Sequence, residues 1–242
     1  MSSHTPAPAG RSRRVLWINL ALIGAFVLVV GLAFAFLRPG APPSVPAGAD
    51  AETPGASATP TVRDDSHVLG ELGASGVTVV EFLDFECEAC GAFYPLVESL
   101  REQYAGEVTF VARYFPLDGH RNSKPAAVAV EAAAQQGAFE AMYAKLFETQ
   151  AAWGEQAESK APLFREYAAE LGLDLAAYDA AVADPATLER VQSDQADGFA
   201  LGVQGTPTFF IDDRMVQLQS YDDLGLAIDA ALEERDGDKG VG

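Results

Sequence analysis

A nearly continuous apolar run from Val77 to Phe85 stops at Cys87-Glu88-Ala89-Cys90, and this junction limits the folds open to the chain more than any other stretch. So short a run, rich in Val and Phe, is the pattern of a strand buried on both faces, as in the middle of a parallel sheet. The segment from Cys87 to Tyr104 then has a helical pattern, with Pro95 inside it as an expected kink. Val108 to Phe115 supplies a second apolar strand. Strand, helix and strand in this order close a βαβ unit and place the chain in the α/β class.

Downstream, Phe139, Met142, Tyr143, Leu146 and Phe147 fall at i, i+3, i+4, i+7 and i+8, the apolar stripe of a helix that packs on a core. Further helices are expected around Leu163–Leu171, Leu175–Val182 and Ala186–Leu201. Strands return at Thr208–Ile211 and Met215–Leu218, joined through Asp212-Asp213, and a helix from about Tyr221 to Glu233 ends the pattern. The expected order is βαβ, a helical insert over about 120–202, then ββα.

The chain contains two cysteines, two residues apart. A structural zinc site needs four ligands, and His4, His67 and His120 are scattered. The cysteines therefore pair with each other or with another molecule. At a helix N-terminus a thiolate faces unpaired N–H groups and the positive end of the helix dipole, which lowers its pKa. Cys87 is the expected exposed, attacking sulfur, and Cys90, one turn in, the shielded partner that resolves a mixed disulfide. The competing readings are half a metal site and an inert staple, and against the staple a bridge over so short a loop removes little chain entropy. Glu81 stands in the first strand, where desolvation favours its neutral form and proton exchange with Cys90 becomes available to it. The rival role for Glu81 is a structural carboxylate. His120 is expected to be solvated or at a helix entry, with no catalytic role.

Three blocks, Val79-Val80-Glu81-Phe82-Leu83-Asp84-Phe85-Glu86-Cys87-Glu88-Ala89-Cys90 with Pro95, Arg113-Tyr114-Phe115-Pro116-Leu117, and Gly205-Thr206-Pro207-Thr208-Phe209-Phe210, resemble the DsbA-like branch of the thioredoxin superfamily. The likeness runs from about His67 to Glu234 and keeps the order of the blocks. It implies a thioredoxin fold with a helical insertion, no cofactor, a cis bond before Pro207 packed against the cysteine pair, and Thr206 and Pro207 as substrate-contacting residues. It also implies an acid at the position of Glu81. The chain departs from the best-known oxidases of the branch between its cysteines, where they carry Pro-His. Glu86 and Glu88 are expected to oppose a Cys87 thiolate and so to weaken oxidising power.

The N-terminal part is of another kind. Val15–Leu37 is uncharged over 23 residues, about 35 Å as a helix, enough for one membrane crossing. A cleaved signal peptide ending near Ala33-Phe34-Ala35 is the alternative, but its apolar region should be only about 7 to 15 residues long. Three arginines before the span and one directly after it place residues 1–14 in the cytoplasm and the remainder outside. Residues 38–66 are expected to be a Pro/Ala-rich linker, 67–234 the folded domain and 235–242 a tail. Beyond Arg38 the chain carries 12 basic and 35 acidic residues, a poor surface for nucleic acid.

These readings converge on a membrane-anchored, monomeric thiol-disulfide oxidoreductase acting outside the cell membrane on exported cysteine-containing proteins. A dithiol oxidase is the first expectation. With no third cysteine it needs a membrane redox partner for recycling, and the resemblance implies a quinone-linked one. The alternatives are an envelope reductase or isomerase, and a non-enzymatic binding module on the same scaffold.

Overall fold

In the computed structural model, residues 59–239 are described. The expected span over 15–37 and most of the expected linker lie outside them. No helix among the described residues is long and apolar enough to cross a membrane.

Five strands form one sheet: β1 (His67–Leu69), β2 (Thr78–Leu83), β3 (Thr109–Tyr114), β4 (Thr208–Ile211) and β5 (Arg214–Met215), in spatial order β1-β3-β2-β4-β5. Strands β2 and β3 are parallel, with Val80 opposite Val111, and every other pairing is antiparallel. The helix α1 (Glu88–Gln103) makes the crossover between β2 and β3. Helices α2 (Ser123–Ala134), α3 (Phe139–Trp153), α4 (Ala161–Glu170), α5 (Leu175–Ala183) and α6 (Pro185–Ala200) form the insert between β3 and β4, and α7 (Asp223–Lys239) follows β5.

The period of two along β2 sorts its side chains between two cores. Val79 and Leu83 join the larger core with Phe110, Phe209, Val97 of α1, Met142 of α3 and Leu224 of α7. Val80 and Phe82 face the other way, onto Val111, Phe115, Val203 and Phe210. The stripe Phe139, Met142, Tyr143, Leu146 and Phe147 is buried in the larger core. On the smaller side α6 comes close to the sheet at Gly198, where a Cβ would lie 2.6 Å from the Phe115 ring and 3.1 Å from that of Phe82. Glycine is required there by that approach. Helix α2 buries mostly alanines, whose small size leaves little periodic contrast in the sequence.

Several expected boundaries change. Helix α1 runs Glu88–Gln103 with Pro95 inside it, as expected, and starts one residue later because Cys87 is its N-cap. The strand expected over Met215–Leu218 is only Arg214–Met215, and a single further bond, from Val216 N–H to Phe209 O at 2.8 Å, continues its pairing with β4. The last helix continues to Lys239, through part of the expected tail, and the ion pairs Arg214–Glu234 at 2.8 Å and Arg235–Asp212 at 3.0 Å tie this end to the β4–β5 turn. Residues 59–66, expected to close the linker, are docked on the domain. Thr61 is 4% exposed, and its hydroxyl donates to Asp212 O at 3.1 Å. The cause is Arg113, fully buried on β3, which pairs with Asp194 and Asp197 of α6, each at 2.6 Å, and donates to Thr61 O at 2.8 Å. A buried guanidinium needs acceptors for its N–H groups, and the Thr61 carbonyl takes one on Nη1.

Candidate active site

Strand β2 delivers the chain to the site, and the loop Asp84-Phe85-Glu86 turns it into α1. Cys87 is the N-cap of that helix, with extended backbone and no side-chain cap hydrogen bond, which leaves its sulfur at the helix N-terminus. Its own N–H donates to Asp84 O at 3.1 Å, and its carbonyl accepts from Gly91 N–H at 3.1 Å. From α3, the Gln150 amide donates to Phe85 O at 2.8 Å and to Cys87 O at 2.9 Å, clamping the junction. Both cysteines are free thiols; Cys87, expected to be exposed, is buried at 8% exposure beneath the Thr206–Pro207 turn, and Cys90 is at 0%. Cys90 Sγ accepts from Asp84 N–H at 3.5 Å.

The two thiols are driven apart electrostatically. A hydrogen bond from Cys90 chiefly lowers the Cys87 thiol, against the opposing effect of burial, and Thr206 and the N–H groups of Cys90 and Ala89 lower it further, to about 5. Cys90 is pushed well above the ordinary thiol value by burial first, then by its bond to Cys87 and by the negative charges of Glu81 and Cys87. One sulfur is thus a thiolate at neutral pH and the other a thiol.

The bond between Thr206 and Pro207 is cis, as the resemblance implies. In its protonated form Cys87 Sγ donates to Thr206 O at 3.4 Å, which joins this turn to the cysteine pair, and the buried Thr206 hydroxyl, with no other partner, is left to the thiolate. An open groove of about 640 Å³ runs alongside, lined by Phe93, Gly205, Thr206, Pro207, Phe209 and Leu218. Glu81 is buried on the same face of β2 as Val79 and Leu83, toward the larger core. Burial, then the charges of Glu98 and Cys87, raise its carboxyl to about 8, and its Oε2 has no hydrogen-bond partner. All five residues singled out from sequence therefore belong to one site: Cys87 and Cys90 at the helix start, Thr206 and Pro207 over Cys87, and Glu81 within electrostatic reach of both sulfurs.

One expectation about its surroundings changes. Glu86 is not an exposed neighbour of the thiolate: it is 1% exposed and accepts from the backbone and side-chain amides of Asn122. Asn122 donates further to Gln156 O at 3.1 Å and Glu158 O at 3.2 Å. Glu88 is exposed, as expected. His120, expected to be solvated or at a helix entry, stands partly exposed two residues before the N-cap of α2, and its Nδ1 lies 2.6 Å from the buried carboxylate of Asp84. Asp84 also accepts from Glu86 N–H at 2.9 Å and Leu117 N–H at 3.1 Å. The two acids flanking Phe85 thus hold the loop 117–122 against the cysteine turn. The signal for them in the sequence is two acids closing an otherwise apolar strand, Asp84-Phe85-Glu86. Nothing local distinguishes their partners. Among the described residues, no three of His, Cys, Asp and Glu come together as a metal site.

Comparison with known proteins places this geometry. Residues 49–230 match the family model described as Thioredoxin. A solved thioredoxin-like oxidoreductase from Silicibacter pomeroyi is 29% identical, with a TM-score of 0.61 over 73% of this chain and 98% of that one. Oxidised BdbD from Bacillus subtilis is 25% identical, with a TM-score of 0.62 over 69% of this chain and 93% of its own. A relative of another kind is the Na(+)/H(+) antiporter NhaA of Herminiimonas arsenicoxydans, 36% identical over 167 residues, which are 67% of this chain and 25% of the antiporter. The chain spans only about a quarter of that protein's length, and the likeness carries no transport function to it. A Cys-x-x-Cys at the head of α1, the turn at Pro207 laid over it and the family match across most of the domain lead to one assignment: the chain belongs to the thioredoxin family, and DsbA-like oxidoreductases are among its structural neighbours.

Proposed function

We propose that the chain is a membrane-anchored dithiol oxidase, held by residues 15–37 with its domain outside the cytoplasmic membrane, that forms disulfides in exported proteins through Cys87 and Cys90. The observation that carries this reading is the placement of the two sulfurs, Cys87 at the start of α1 against the Thr206–Pro207 turn and Cys90 wholly buried one turn in, which lowers the Cys87 thiol and raises that of Cys90. A disulfide oxidises more strongly the more its reduced form is stabilised. Bringing a thiol from 9.0 to about 5 stabilises the dithiol at pH 7 by about 3 kcal/mol, on the order of 60 mV for a two-electron couple. Exposed Glu88 opposes part of this, so the poise is expected to be milder than that of a histidine-containing motif.

In the forward reaction a client thiolate attacks Cys87 Sγ of the disulfide, forming a mixed disulfide and releasing Cys90 as a thiolate. Cys90 takes its proton from Glu81, whose carboxyl, raised to about 8, is mostly neutral at pH 7. A second client thiolate then attacks the client's sulfur, and Cys87 leaves as the stabilised thiolate. The client gains its disulfide and the protein holds the two electrons as a dithiol. A membrane redox partner must remove them. The groove beside Thr206 and Pro207 suits an extended client segment, with its apolar wall at Phe93, Phe209 and Leu218. The domain works as a monomer in this scheme.

The decisive experiment traps thiols in intact cells by acid quenching and alkylation. A pair found mostly as a disulfide supports the oxidase. A pair kept as a dithiol sinks it and favours an envelope reductase or isomerase. In parallel, Cys90→Ala should accumulate client mixed disulfides on Cys87, and Glu81→Gln should slow exchange without unfolding the domain.

A further inference from the structure

His120 stands outside the cysteine motif, in the loop after β3, yet it is tied into the base of the site. The Asp84 carboxylate accepts from Glu86 N–H and Leu117 N–H, and it meets His120 Nδ1 at 2.6 Å. An ionised carboxylate can only accept, so Nδ1 carries a proton and titration of the ring takes place at Nε2. That nitrogen faces Glu155, at 3.8 Å, and the ring is partly exposed to solvent. Asp84 in turn brackets the cysteine pair: its N–H donates to Cys90 Sγ, and its carbonyl accepts from Cys87 N–H.

We propose that His120 is a positioning residue for Cys87, supplying from the loop after β3 the positive charge that the Glu88-Ala89 dipeptide lacks. As an imidazolium it neutralises Asp84, so the thiolate forms beside an ion pair of no net charge. When Nε2 loses its proton, the same pair carries a net negative charge and opposes the thiolate. This inference rests on the thiol chemistry proposed above.

The electrostatics agree in direction. Burial alone would lower the imidazole, but the hydrogen bond to Asp84 and the negative charges of Asp84, Cys87 and Glu155 raise it overall. Those three acids face it from the β2–α1 loop, the start of α1 and the segment after α3. On its own loop, Asp118 is engaged by Lys124 of α2 at 3.0 Å. The contribution of Cys87 makes the coupling reciprocal: a thiolate that raises the imidazole must be favoured by the imidazolium to the same extent.

A purely structural role, in which His120 only pins the loop 117–122 to Asp84, separates from this one by substitution. In His120→Asn the side-chain amide can take the place of Nδ1–H and keep the tie to Asp84, but it cannot carry charge. The full-length reduced protein and this variant would be titrated by thiolate absorbance and iodoacetamide rate, with thermal unfolding as the check on folding. The half-titration of Cys87 should move up by about half a pH unit or more in the variant. An unchanged half-titration in a folded variant overturns the proposal. A second measurement needs no variant: the His120 ring followed by NMR in wild type should titrate at higher pH in the dithiol form than in the disulfide form. Equal titration in the two forms overturns it as well. Neither readout needs a client or an electron donor, so these results stand or fall separately from the oxidase reading.

Discussion

Replacing Cys90 with Ala should remove the largest support for the charge on Cys87. In the reduced protein Cys87 titrates at about 5 against 9.0 for an ordinary thiol, and the hydrogen bond from Cys90 leads the causes, ahead of burial, which opposes it, and of Thr206 and two backbone N–H groups. A hydrogen bond to a charged group contributes about 1.5 to 3 kcal/mol, which corresponds to roughly one to two pH units. Cys90→Ala should therefore bring Cys87 to between about 6 and 7. At pH 7 the thiolate fraction would fall from about 99% to somewhere between about half and nine-tenths. Thr206 and the two N–H groups remain in the variant, so the value should stay below that of a free thiol. Cys90→Ser, which keeps a donor at the same place, should recover part of the loss. Thiolate absorbance and iodoacetamide rates between about pH 4 and 9 on the reduced proteins read all three values. An unchanged Cys87 in Cys90→Ala would show that Cys90 is not the donor. A rise to the free-thiol value would show that the helix N-terminus and Thr206 contribute nothing.

Other perturbations test other parts of the molecule. Glu81 is a buried acid whose folded value, about 8, lies above its ordinary 4.5, so folding takes up a proton between those pH values and stability falls as pH rises through that window. Glu81→Gln should then stabilise the fold at pH 7 by up to about 3 kcal/mol in urea melts, a gain that shrinks toward zero near pH 4.5; a gain independent of pH would refute the assignment. Arg113→Met should cost about 3 to 5 kcal/mol, because it leaves the buried Asp194 without its chief partner, and should expose the segment around Thr61 to protease. Digestion of spheroplasts should release a soluble domain, and a protected domain would contradict the proposed topology.

Much of this protein could be read from local pattern. The apolar run of β2, the crossover to β3 and the aromatic stripe of α3 each bury one continuous surface, and burial periodicity is written directly into neighbouring residues. The start of α1 at the cysteines was legible for the same reason, since a strand followed by a helix leaves Cys87 at an N-terminus whatever the rest of the chain does. The place of Pro207 came from resemblance alone. Composition has no means of bringing together residues more than a hundred positions apart, as the contact of Cys87 with Thr206 requires.

Only the tertiary structure decided which charges act on the site. From sequence, Glu86 and Glu88 look equivalent, one on each side of Cys87. Folding buries Glu86 on Asn122 and leaves Glu88 in solvent, so the two are not equivalent neighbours of the thiolate. His120, an unremarkable loop residue in the sequence, is drawn onto Asp84, 36 positions earlier. The tether ends sooner than its composition implies, because Arg113 needs the Thr61 carbonyl. The physical reason is common to all three. Apolar burial follows patterns of near neighbours, whereas a buried charge takes whichever partner the fold brings within hydrogen-bonding distance, and nothing in the local sequence names that partner.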